Sequence, residues 1–66
     1  MNPISKKETF YIQYLYDGKW DFAKDGDYRI EVGTLYQARN ERDIVSIKTQ
    51  CKARILSSTT IKKVVE

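Results

Sequence analysis

The dipeptide Asp-Gly occurs twice within a short stretch, at Asp17-Gly18 and Asp25-Gly26, each time beside runs of aromatic and β-branched residues. Glycine tolerates positive φ, so Asp-Gly is a strong signal for a strand that reverses on itself. Thr9 to Tyr16 reads as a first strand, Lys19 to Ala23 as a second and Asp27 to Val32 as a third. Residues 9–32 are therefore expected to form an antiparallel meander.

Loop length decides which side chains share a face, because residues directly opposite one another in an antiparallel pair point the same way. A two-residue loop at Asp17-Gly18 pairs Leu15 with Trp20 and Tyr14 with Asp21, scattering the large residues over both faces. A three-residue loop, Tyr16-Asp17-Gly18, pairs Tyr14 with Trp20 and Ile12 with Phe22, with Gly18 in the left-handed bulge position. Treating Lys24-Asp25-Gly26 the same way gathers Phe10, Ile12, Tyr14, Trp20, Phe22, Tyr28, Ile30 and Val32 on one face. Tyr11, Gln13, Leu15, Asp21, Ala23, Arg29 and Glu31 then share the other. The expectation is the odd-length loops, and with them an aromatic inner face.

Further along, Thr34-Leu35-Tyr36-Gln37 matches a capping box, and Leu35 to Arg42 has fair helix propensity. A short helix near 34–42 is favoured over a fourth strand. From Ile44 to Ile55 the chain alternates: Val45, Ile47, Thr49, Cys51, Ala53 and Ile55 against Ser46, Lys48, Gln50, Lys52 and Arg54. A period of two predicts a strand over 44–56. At about 3.3 Å per residue such a strand spans roughly 43 Å, against a diameter of about 28 Å for a domain this size. It must bend, break or protrude. Ser57 to Thr60 reads as a polar turn and Ile61 to Val65 as a last strand.

The 66 residues suffice for one domain, with 1–8 a flexible lead-in and 9–66 a single β-rich unit. At this size only about 60% of the unfolded surface is buried, so staples are usual. Here they are missing, since Cys51 is the single cysteine and there is no histidine. The fold class expected is mainly β, a small antiparallel sheet or an SH3-like or OB-like barrel of about five strands, with α+β as the alternative.

The same composition bears on function. Without histidine there is no imidazole acid/base and no Ser-His or Cys-His pair, and the glycines do not form a phosphate loop. Asp25-Gly26-Asp27 lacks the spaced oxygen ligands of a calcium loop. The chain is thus expected to be non-enzymatic and to need no cofactor. A lone cysteine with no apolar leader sets the expectation of a cytoplasmic setting, and the short apolar runs argue against a membrane span.

The net charge is +3, unevenly spread. Residues 1–33 sum to −1 and residues 34–66 to +4. No acid lies between Ile44 and Val65. Lys48, Lys52, Arg54, Lys62 and Lys63 are therefore candidates for binding nucleic acid from a basic strand face. Tyr11, Leu15 and Tyr36, left off the aromatic inner face, are candidates for a protein partner, and an overlong strand also suits a homo-oligomer.

Overall fold

The computed structural model describes residues 8–57 and 63–66. Seven strands and one helix are formed among them: β1 (Phe10–Tyr16), β2 (Lys19–Phe22), β3 (Lys24–Asp25), β4 (Tyr28–Arg29), β5 (Glu31–Val32), α1 (Leu35–Thr49), β6 (Ala53–Ser57) and β7 (Lys63–Val64). The chain is mainly β: an antiparallel sheet of several strands with one helix against it. Among the described residues the sheet runs β2-β1-β6-β7, with β5 sharing the β2 side of β1. The 1–8 lead-in (up to residue 7), the turn after Ser57 and the start of the last strand lie outside the described residues.

The first turn departs from the expectation. Leu15 faces Trp20 and Tyr14 faces Asp21, so the loop is the two-residue one. Its conformation explains why. Asp17 and Gly18 both have positive φ, 54° and 77°, the type I′ geometry whose twist matches that of the flanking strands. Collecting the aromatics on one face would have required abandoning that turn. The local geometry wins, and Trp20 and Phe22 turn away from Phe10, Ile12 and Tyr14.

The second turn is also a two-residue loop: Asp25 faces Tyr28 around Gly26-Asp27. Here only Gly26 has positive φ, 69°, as a type II′ turn requires. This β3–β4 hairpin is an excursion from the sheet. Before it, the Ala23 N–H donates to the Ile12 carbonyl at 2.8 Å. After it, Val32 and Glu31 pair with Phe10 and Tyr11. Ile30 closes the base of the arm by donating to the Ala23 carbonyl at 3.0 Å.

The helix forms where expected and runs on to Thr49. Thr34 caps it, its Oγ1 accepting from the Gln37 N–H at 3.1 Å. The predicted strand over 44–56 is therefore corrected: it neither bends nor protrudes, because its first half is helix and only Ala53–Ser57 is strand. The alternation misled because Val45 and Ile47 share a parity but lie on opposite sides of a helix. Val45 is buried at 7% exposure, while Ile47 is 77% exposed. Helical spacing brings Leu35, Ala38, Val45 and Thr49 to the inner side. The helix ends at Gln50 in the left-handed region, φ 58°. There Ser46 Oγ donates to the Cys51 carbonyl at 2.8 Å, and the Cys51 N–H donates to Thr49 Oγ1 at 3.2 Å.

The core lies between α1 and one face of the sheet, built from Phe10, Ile12, Ala23, Ala38, Val45 and Ile55. Ile12 and Ile55 are fully buried and face each other across the β1–β6 pair. Each contributes about 1.5–3 kcal/mol of burial. Ala23 and Ala38 leave room for close approach of helix and sheet. Opposite Ile55, the two residues after β7 face one: Val65 donates to the Ile55 carbonyl at 2.8 Å, and Ile55 donates to the Glu66 carbonyl at 2.7 Å. Such a two-against-one arrangement bends a strand. Glu66 reaches the helix, accepting from Arg39 Nε at 2.8 Å and Arg42 Nη1 at 3.2 Å.

Candidate functional site

With α1 on one face, the register dictates what the other face carries. Side chains alternate along β1, so Tyr11, Gln13 and Leu15 point away from the helix. Their cross-strand partners point with them: Glu31 and Leu56 beside Tyr11, Phe22 and Arg54 beside Gln13, Trp20 beside Leu15. The middle row, Arg54–Gln13–Phe22, crosses three strands.

Two arginines lie on two rings of this face. The Arg54 guanidinium carbon sits 4.0 Å from the centre of the Trp20 ring. Arg54 Nε also donates to Gln13 Oε1 at 2.9 Å, which holds the guanidinium in place. The Arg29 guanidinium carbon sits 4.0 Å from the centre of the Phe22 ring. The β3–β4 arm supplies Arg29, so the excursion from the sheet delivers a cation back onto the face away from α1. Tyr11 meets Phe22 edge-on, with ring centres 6.0 Å apart and planes at 83°. Trp20, Phe22, Tyr11 and Arg54 are half-buried and Arg29 is exposed. The result is a polarised aromatic layer with positive charge on it, flanked by the acidic Glu31. Each such pair is worth about 0.5–2 kcal/mol.

The five cations expected to line one strand do not share a face. Lys48 is on the last turn of α1, in the other layer. Lys52 is exposed in the connection to β6, and its carbonyl accepts from the Leu15 N–H at 2.8 Å. Lys63 opens β7 opposite Ser57. Lys62 lies outside the described residues. Of the described side chains among the five, Arg54 is in the aromatic layer, and Lys52 stands opposite Leu15 at its edge. The premise of a continuous basic strand is overturned, because α1 takes up Lys48 and breaks the alternation that joined it to Lys52 and Arg54.

Tyr11, Leu15 and Tyr36 do not form one patch either. Tyr11 and Leu15 are on the sheet face away from α1, whereas Tyr36 is 81% exposed on α1. Sequence reasoning missed Trp20, Phe22 and Arg29 as members of a site. The signal that finds Trp20 and Phe22 is the type I′ preference of Asp17-Gly18, which sets their parity; Arg29 carries no such signal.

A groove of about 930 Å³ lies between the β3–β4 arm and α1. Ala23, Ile30, Val32 and Val45 contribute to its lining, with Tyr28 and Ile44 beside them. Tyr28 is 80% exposed. No protein-family model matches the sequence, and comparison with curated proteins and with solved structures yields no significant match.

Proposed function

We propose that the chain is a small, non-enzymatic nucleic-acid-binding accessory protein that uses the sheet face opposite α1 as its contact surface. One observation carries this reading: Arg54 on Trp20 and Arg29 on Phe22, on the face turned away from α1. Aromatic rings on a sheet stack bases, and guanidinium planes stack bases while their N–H edges reach phosphates. Among the described residues the Arg54 side chain makes one hydrogen bond, through Nε to Gln13, which leaves its terminal nitrogens to reach a phosphate.

The site makes a quantitative difference from a basic strand. Two arginine–phosphate contacts give a log–log salt slope of about −1.4 on a single strand, whereas five cations give about −3.5. The test is a labelled oligonucleotide titrated with protein at several salt concentrations. Binding with the shallow slope, weakened by Arg54→Ala and Arg29→Ala and unchanged by Lys48→Ala, supports the sheet-face reading. Absence of binding at low salt to any nucleic acid defeats it.

The groove beside the arm supports a second reading, an interaction module in which a second copy of the chain covers Tyr28 and Ile44. Sedimentation across a concentration series is the check. A dimer dispersed by Ile44→Asp supports it, and a monomer at every concentration removes it.

A further inference from the structure

We infer that the sheet face opposite α1 takes a single-stranded segment, with two neighbouring bases seated on the Trp20–Arg54 and Phe22–Arg29 stacks, and discriminates against a duplex. This deepens the nucleic-acid reading above and rests on it. Trp20 and Phe22 are two positions apart on β2 and point the same way, so the two stacks stand about 7 Å apart along one strand. They form a short row of flat stations, not a single pocket.

Three features favour a single strand. The first is what the stations offer. A ring or guanidinium plane is useful to a base whose own face is free, and in a duplex those faces are already stacked on one another. The second is shape. α1 packs on the other side of the sheet through Ala38 and Val45, so among the described residues no helix projects from this face to enter a major groove. The β3–β4 arm is a two-stranded ribbon, but Asp25, Gly26 and Asp27 at its turn place two carboxylates where phosphates would approach. The third is charge. Among the described residues Arg29, Arg54 and, opposite Leu15, Lys52 stand against Glu31 on this face, too little positive charge to hold the paired phosphate rows of a duplex. Stacking must supply a large share of the binding, and only unpaired bases can provide it.

The stations read planes rather than base edges, so the preference is for strandedness and not for sequence. Gln13 contributes by positioning: its carbonyl oxygen fixes Arg54 Nε, which keeps the guanidinium over the indole.

The unmodified protein tests this against three labelled oligomers of one length: an unstructured pyrimidine strand, a blunt duplex, and a strand of the same backbone carrying abasic sites. The pyrimidine strand is expected to bind at least tenfold more tightly than either of the others at the same salt. Arg54→Lys, which keeps the charge and loses the planar stack, is expected to weaken the pyrimidine strand several-fold and leave the salt slope unchanged. Equal binding of the abasic strand, or of the duplex, overturns the inference while leaving nucleic-acid binding standing. Failure of all three to bind removes both.

Discussion

Ala23→Asp separates the observed register from the one in which the aromatics share an inner face. In the structure Ala23 is 5% exposed, packed in the core with Ile12 and Ala38, and its neighbour Lys24 is exposed. A carboxylate at 23 is taken out of water without a partner, a cost of several kcal/mol. A chain of 66 residues has a total stability of about 3–10 kcal/mol, so the substitution removes most or all of it. Were Ala23 on the outer face with Gln13 and Leu15, the same change would cost within about 0.5 kcal/mol. The assay is far-UV circular dichroism during heating and during urea titration, with Lys24→Asp as the exposed control. The expected outcome is loss of the cooperative transition for Ala23→Asp and a near-native transition for Lys24→Asp. An Ala23→Asp protein that melts within a few degrees of the parent refutes the register and the site built on it.

Gln50→Gly relieves a left-handed residue at the helix end and is expected to stabilise by about 0.5–1 kcal/mol, raising Tm by a few degrees in the same melt. The hydrogen bonds from Arg39, with the charges of Arg39 and Arg42 adding to them, hold the Glu66 carboxyl below its ordinary value of 4.5. A depressed folded-state pKa means that the contact stabilises fully above the unfolded value and is lost as pH falls through the lower, folded one. A carbon-detected NMR titration should show this, with Arg39→Ala moving the Glu66 midpoint up. Arg54→Ala and Trp20→Ala should couple by about 0.5–2 kcal/mol in a double-mutant cycle on urea unfolding, and additive effects would show that the stack contributes nothing to stability.

The sequence carried the fold class, the helix start and the strand β1 plainly, because each rests on a local rule. Thr34 and Gln37 form their cap, and Phe10, Ile12 and Tyr14 share the helix side. Two competitions between rules were harder to judge. At Asp17-Gly18 the turn preference opposed the clustering of large side chains, and the turn prevailed. From Ile44 to Thr49 a strand-like alternation coincided with a helix that was already nucleated upstream, and continuing it adds a hydrogen bond per residue without a new nucleation cost. Ile44 and Ile47 are left outward by that continuation, at 38% and 77% exposure.

Both outcomes bear on the site. The first sends Trp20 and Phe22 to the face away from α1, where Arg54 and Arg29 meet them. The second removes Lys48 from the strand. Arg29 on Phe22 was not legible at all, because it depends on how the β3–β4 arm folds back. No periodicity encodes that contact.

Binding of nucleic acid on the sheet face opposite α1 is the central proposal. Titrating a labelled protein with an unstructured single strand and following amide and indole shifts by NMR tests this directly. The account predicts shifts at Tyr11, Gln13, Phe22 and Arg54 and at the indole of Trp20, the single tryptophan, with Tyr36 and Ile47 on the outer side of α1 undisturbed. Shifts confined to α1, or no shifts at low salt, would contradict it.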